Sequence, residues 1–219
     1  MPLRINAMGH LQDEWDKDVA NAIRYAVDNG AQVISMSFTK YYSPQKHWVE
    51  QAIAYARSKN VLLVRAAGND HLDVDSISSY PEEYYPSGNS AANLLVVGAS
   101  SYDSTMVADF SNYGAHTVDV FAPGTNIYMP MPGGGYEHGQ GTSFACPMVA
   151  GVAALIWSYY PRLSWRQVRE CIEGSAAPID MLVVNPGTGK KVAFRSLSRT
   201  GGIVNACKAL RLAAAMPKQ

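Results

Sequence analysis

The sequence predicts an α/β protein built on one mainly parallel β-sheet with helices on both faces, three layers in all. Three observations carry that expectation. Strand-length apolar runs alternate with helix-length amphipathic segments along the 219 residues. The strand runs are apolar throughout rather than at every second position, as strands covered on both faces require. Glycine, proline and asparagine fall at the joints between elements, where their backbone preferences end helices and make turns. No internal repeat or low-complexity linker interrupts the pattern, so residues 1–219 read as a single unit.

In chain order, Leu3–Ile5 reads as a short strand. Asp16–Asn29 reads as a helix, because Val19, Ile23 and Val27 recur at spacing four on one face and Gly30 stops it. Val33–Phe38 is a buried strand. His47–Lys59 is a second helix, with Trp48, Ala52 and Ala56 in register and Asn60 closing it. Val61–Ala66, Leu94–Val97 and Val118–Ala122 are further strands, the last ending at Pro123-Gly124. Cys146–Tyr160 is an apolar helix. Ser164–Glu173 follows, with Ser164 as its cap, and Asn205–Ala215 is a terminal helix. Segments 71–92 and 125–142, rich in Gly, Pro, Tyr and Ser, read as long loops, and loops of that length tend to carry function.

Hydrophobic residues make up 47% of the chain and charged ones 16%, a balance that folds rather than stays disordered. Eighteen basic and eighteen acidic residues cancel without forming a run, so no nucleic-acid partner is expected. The longest apolar run, 148–157, is broken by Gly151. It falls short of the about 20 residues that span a bilayer, so no membrane partner is expected. Cys146, Cys171 and Cys207 are odd in number and lack Cys-x-x-Cys spacing, which argues against a disulfide framework or a zinc site. Cys146 reads as a small core filler, and a Cys171–Cys207 pairing stays open. No basic region followed by an apolar stretch marks a signal peptide at the start.

The chemistry concentrates in Gly141-Thr142-Ser143-Phe144-Ala145-Cys146-Pro147-Met148-Val149-Ala150-Gly151. Ser143 stands at a Gly/Thr turn directly ahead of the apolar helix. Unpaired N–H groups and the helix dipole there favour developing negative charge, which suits a hydroxyl nucleophile. Pro147 is placed in the first helical turn, where a missing N–H costs nothing. A second segment, Ala66-Ala67-Gly68-Asn69-Asp70, follows a strand end, the position at which α/β sheets bind ligands. An asparagine there can turn its amide toward an oxyanion. Gly68-Asn69 taken alone would be an ordinary turn.

The serine segment closely resembles the Gly-Thr-Ser-x-Ala-x-Pro-x-Val-x-Gly motif of the subtilisin-like serine proteases, and Ala66–Asn69 resembles that family's Ala-Ala-Gly-Asn motif. Ile34–Phe38 is similar to its Asn-Met-Ser-Leu-Gly strand, with Thr39 where the family usually has glycine. Further matches run in the family's order: Tyr80–Pro86 leading to Leu94–Ala99, Phe110–Gly114, Val120–Gly124 and Gly201–Asn205. The resemblance implies a serine endopeptidase with Ser143 as the acylated nucleophile and Asn69 as the oxyanion donor. It also implies an extended-peptide groove along Ser37, Phe38, Thr39, Ala66, Ala67, Gly68 and Thr142. The partners implied are a peptide or protein substrate.

The family's Asp-Ser/Thr-Gly turn and His-Gly-Thr-x-Val-Ala-Gly helix start do not occur in the sequence. Serine needs a base, and the base an orienting carboxylate. Leu3–Ile5 matches a family strand downstream of the histidine. The chain is therefore read as the C-terminal portion of the peptidase domain, N-terminally truncated, inactive alone and completed by an upstream Asp/His-bearing segment. His10, His47, His71, His116 and His138 read as surface or loop residues, and a glycine-rich loop holds His138 poorly as a base. The Gly133–Gly135 run lacks the Lys-Ser/Thr of a phosphate loop. Many subtilases bind calcium, but Asp70, Asp73 and Asp75 match no ligand pattern and read as a solvated loop face. No cofactor is read from the residues, and calcium stays open by the resemblance alone, with no ligands identifiable. By resemblance the parent protein would be secreted or held in the cell envelope. The alternative reading is a non-catalytic pseudoenzyme or peptide-binding domain on the same fold.

Overall fold

In the computed structural model, which describes residues 1–6, 14–82 and 91–217, four strands stack in sequence order into a parallel sheet. They are β1 (Val33–Met36), β2 (Leu62–Ala66), β3 (Leu94–Ser100) and β4 (Val120–Pro123). Strands β5 (Ile127–Pro130) and β6 (Tyr136–Gly139) form a separate hairpin. Strands β7 (Ala177–Pro178) and β10 (Gly202–Ile203) extend the sheet to the order β1-β2-β3-β4-β10-β7, with only the last pair antiparallel. Between them in sequence, β8 (Leu182–Val184) and β9 (Lys191–Ala193) make a second small hairpin.

Alternate strand residues divide between the two faces, so each face carries its own core. Leu62, Val64, Leu95, Val97 and Val120 pack with α3 (Thr142–Tyr159), α4 (Trp165–Ser175) and α5 (Ala206–Ala215). Met36, Leu63 and Leu94 pack with α1 (Asp16–Asp28) and α2 (Lys46–Ser58) on the other side. The result is the expected three-layer, mainly parallel α/β architecture. Periodicity located the α-helices to within a few residues, and missed the short 3-10 turn Phe194–Ser196. Val19, Ile23 and Val27 are all buried on α1, and Ser164 caps α4 through a reciprocal capping box with Gln167. Asn205 caps α5, its side chain accepting from Lys208 N–H.

Several expectations are corrected. Leu3–Ile5 is not a strand. β1, the outermost strand, pairs only with β2 among the described residues, and Ile5 instead packs beside the α1/α2 core. Helix α3 starts at Thr142 rather than Cys146, so Pro147 lies inside the helix instead of in its first turn. The expected loop 125–142 contains the β5–β6 hairpin. The Cys171–Cys207 pairing that the sequence left open is not made: all three cysteines are free, Cys146 and Cys171 buried and Cys207 exposed. Burial pushes the Cys171 thiol up to about 11. The expected landmark residues Glu83–Pro86 and His10 lie outside the described residues. Helix α3 is long and apolar enough by length and composition to cross a bilayer, but it packs on the four parallel strands as a core helix.

Two buried carboxylates tie the layers. Asp119 takes the Val96 N–H at 2.7 Å and ion-pairs with Arg169 at 2.8 Å and Arg199 at 3.1 Å. Asp16, in the first turn of α1, accepts from Lys40, Ser43 and the Gln45 N–H, fixing the segment that leads into α2. Burial works to raise the Asp16 pKa, but the bonds from Lys40, Ser43 and Gln45 outweigh it and hold the carboxyl below its ordinary 3.8. A carboxyl whose folded pKa is depressed contributes stability above its unfolded value and loses it as pH falls through the folded one. Asp16→Asn is therefore expected to cost about 3 kcal/mol at pH 7. Urea unfolding should show the gap from wild type shrinking as the pH drops below 3.8.

Candidate active site

The site lies at the C-terminal ends of β1 and β2, where both meet the first turn of α3. Gly141, at φ +143°, is the N-cap, a backbone conformation that side chains disfavour. This sharp entry puts Ser143 in the opening turn. Its Oγ donates to Ser37 O at 2.9 Å, and Ser37 Oγ donates back to Ser143 O at 2.8 Å. The second bond has a cause in the sequence. Ser143 O would ordinarily accept from the N–H four residues on, and that residue is Pro147, which has none. Ser37 satisfies the carbonyl that the proline leaves open. A proline inside an apolar helix is thus matched to a hydroxyl on another strand.

Asn69 is brought to the same turn. Its Oδ1 accepts from Thr142 N–H at 2.8 Å and from Thr142 Oγ1 at 2.9 Å, while Thr142 Oγ1 accepts from Gly68 N–H at 3.2 Å. A backbone N–H can only donate, so the atom facing Thr142 is the carbonyl oxygen and the amide Nδ2 points away. Asn69 Nδ2 and Ser143 N–H carry no acceptor among the described residues. The arrangement therefore offers a hydroxyl, a helix N-terminus and two N–H donors around one point. Such a set can present a nucleophile and hold an oxyanion.

The other groove residues fall around this point with different orientations. Ala66 is buried toward α3 and Ala67 toward the opposite face. Phe38 packs against the α1/α2 core, so its side chain is structural. Thr39 faces Gly68, and its Oγ1 takes the Arg65 Nη1 at 2.6 Å. Cys146 lies one turn below Ser143, its thiol donating to Val64 O at 3.2 Å, and burial raises its pKa. It is a core filler.

No histidine ring is bonded to Ser143 among the described residues. His138 Nδ1 lies 3.4 Å from Asn126 O and its ring leans on Tyr128. His71 Nδ1 lies 2.5 Å from Asp109 O, and His47 lies against Trp48. Asp75 is occupied by the His116 and Thr117 N–H groups and Asp70 by Tyr41. No group of three His, Cys, Asp or Glu that could hold a metal occurs among the described residues.

Sequence reasoning missed three residues at this site: Arg65, Tyr41 and Asn112. Asn112 accepts from Asp70 N–H and Leu72 N–H, and donates to Ala67 O and to Tyr41 Oη at 2.8 Å. Burial, and then the bond to Asp70, push the Tyr41 phenol up to about 12. Arg65 carried a visible signal, being the one charge in the apolar run 61–67. Asn112 and Tyr41 carried none, because their meeting spans 71 positions.

A parallel α/β sheet crossed by a buried helix, with a seryl hydroxyl and two unfilled N–H donors at that helix's N-terminus, is the frame against which the comparisons are set. The chain belongs to the subtilase family, whose model matches residues 3–202. It is 39% identical over 158 residues to M-protease of Shouchella clausii (strain KSM-K16), covering 72% of this chain and 38% of that protein. Thermitase of Thermoactinomyces vulgaris is 37% identical over 193 residues, covering 88% of this chain and 59% of thermitase. Among solved structures, the patellamide maturation protease PatA superposes with a TM-score of 0.72 at 32% identity, over 94% of this chain and 73% of that one. The chain thus spans between about two fifths and three fifths of these two curated relatives.

Gly68 tests the site's packing. A Cβ there would come within 2.3 Å of Asn112 Nδ2 and 2.7 Å of Thr39 Cγ2, at a φ of +107°. Gly68→Ala is expected to destabilise by about 2 kcal/mol or more, read as a lower urea midpoint.

Proposed function

We propose that the protein is the nucleophile-bearing part of a serine endopeptidase. Ser143 attacks the peptide carbonyl and carries the acyl group. Asn69 Nδ2 and Ser143 N–H stabilise the oxyanion. The observation that carries this reading is the Asn69–Thr142 clamp. It aims an amide at Ser143's turn through two bonds of 2.8 and 2.9 Å, and a purely structural turn would have no use for the amide's outward face. The substrate is a peptide or protein chain lying extended along residues 37–39 and 66–68.

The base and its orienting carboxylate come, in this reading, from an upstream segment bearing the family's His and Asp motifs. Two features fit a docked segment. β1 ends the sheet, and a groove of about 490 Å³ runs along it, lined by Leu3, Ile5, Val19, Ile23 and Ile34 among others. The apolar helix α3 leaves Met148 41% and Leu155 38% exposed. A strand added at β1 would pair its free backbone groups and cover apolar surface. Secretion or retention in the cell envelope belongs to the parent protein on the same reading.

In the absence of a base, Ser143 keeps its proton and the hydroxyl stays bonded to Ser37 O. In subtilisin itself, a member of this family, losing the histidine alone costs about 2 × 10⁶ in kcat. The chain alone is expected to resist labelling by a fluorophosphonate, and joining the upstream segment in cis should restore labelling and peptide hydrolysis. Ser143→Ala should abolish both. Asn69→Ala should lower kcat by about 10² to 10³, the loss known for subtilisin's own oxyanion asparagine. Strong labelling of the chain alone would overturn the need for a second segment and direct attention to His138. Failure to label after completion would favour the peptide-binding reading.

A further inference from the structure

Asn69 carries the amide on which oxyanion binding depends, yet its own backbone is not tied down. Its N–H and C=O have no hydrogen-bond partner among the described residues. The chain on either side of it is held instead by one residue distant in sequence, Asn112. The Asn112 side chain donates to Ala67 O at 2.9 Å and accepts from Asp70 N–H at 3.0 Å and from Leu72 N–H at 2.8 Å. Its backbone N–H donates to Gly68 O at 2.9 Å. Backbone groups before and after Asn69 therefore all end on residue 112. Two N–H groups can only donate, so they fix which end of the Asn112 amide faces them.

Asn112 is itself anchored to the sheet. It is fully buried, and the neighbouring Ser111 Oγ accepts from Ala99 N–H of β3 at 3.0 Å while donating to Asn112 O at 2.9 Å. Tyr41 completes the brace: its hydroxyl accepts from Asn112 Nδ2 at 2.8 Å and donates to the Asp70 carboxylate. The packing has no slack, since a Cβ on Gly68 would stand 2.3 Å from Asn112 Nδ2. Only a glycine lets the Asn112 side chain reach across to the far side of Asn69. A continuous run of hydrogen bonds thus leads from β3 through Asn112 to segment 67–72. It continues from Asn69 Oδ1 to Thr142, in the turn that presents Ser143.

Resting on the acyl-transfer reading above, we propose that Asn112 is a positioning residue for oxyanion stabilisation, with Tyr41 as its support. By holding Ala67, Gly68, Asp70 and Leu72 it fixes how Asn69 is turned. Asn69 Oδ1 is then taken up by Thr142, and Nδ2 is left aimed at the carbonyl oxygen under attack. Asn112 acts through Asn69 and not on the reacting atoms. Loss of its side chain leaves Ala67 O, Asp70 N–H and Leu72 N–H without this partner and lets Asn69 turn. A donor that must be reoriented in each transition state stabilises it less than one already in place. A residue that only stabilised the fold would act on the whole chain, and its effect would not depend on Asn69.

Two measurements test this, and the first needs no turnover. In the 219-residue chain itself, Thr142 N–H is bonded to Asn69 Oδ1, so its hydrogen exchange reads how firmly Asn69 is held. Asn112→Ala should speed exchange at Thr142 about tenfold or more beyond any change at Val149, deeper in the same helix. Tyr41→Phe removes a single hydroxyl and should give a smaller selective rise of about threefold, which decides the matter if the alanine variant does not fold. Exchange at Thr142 that changes no more than at Val149 would overturn the proposal. The second measurement is a double-mutant cycle in the chain completed by its upstream segment. Asn112→Ala should lower kcat about tenfold or more with KM held within about twofold, and the loss should vanish in an Asn69→Ala background. No loss of kcat, or an equal loss in both backgrounds, counts against positioning. The acyl-transfer reading is judged separately. Undiminished kcat in Asn69→Ala sinks that reading and leaves the exchange result standing, whereas a large Asn69→Ala loss without the expected coupling sinks only the role of Asn112.

Discussion

The burial of α3 is the constraint on which the rest of the fold depends. This helix touches all four parallel strands and both α4 and α5, so it sets the spacing of the whole α3-side layer. Val149, Ile156 and Trp157 are buried along it, each worth about 1.5–3 kcal/mol relative to exposure. The same burial fixes where the helix begins. An N-terminus pressed against the ends of β1 and β2 must satisfy its first N–H groups from neighbours, since water reaches little of Thr142. Asn69 does so for Thr142 N–H, while Ser37 bonds the Ser143 hydroxyl and carbonyl, and both residues frame Ser143. Stability and chemistry share the same hydrogen bonds.

Pro147 shows how that sharing works. Deep in a helix, a proline normally weakens it by leaving a carbonyl unpaired. Here the unpaired carbonyl belongs to Ser143, and Ser37 Oγ reaches it at 2.8 Å. The reciprocal bond from Ser143 Oγ then holds the hydroxyl against β1. A defect in the helix is converted into a joint between the helix and the sheet, placed at the residue whose position matters most.

Buried charges follow a different logic. Asp119 is compensated by two arginines and a backbone N–H, a network that joins β4 to α4 and to the segment before β10. Arg65 receives only neutral acceptors, and burial drags its pKa down to about 10. The contrast is between a fully paired buried charge at the start of β4 and one on β2 that meets only neutral acceptors, with β3 between them.

The sequence by itself determined the layers and the two motifs. Apolar strands of full burial, helices with spacing-four faces and caps such as Ser164 and Asn205 are properties of short windows, and burial and backbone preference act within such windows. Ser143 and Asn69 were legible for the same reason, as residues at a helix start and a strand end. Tertiary structure alone decided the rest. The true start of α3, the use of Pro147, the packing of Tyr41 and Asn112 against Gly68, and the loss of Leu3–Ile5 as a strand all turn on partners distant in the chain. Ser37 and Ser143 are 106 positions apart and Asn69 and Thr142 are 73 apart. A hydrogen bond of that span leaves no local periodicity to read, because either residue would look the same in its own window whether or not the other were present.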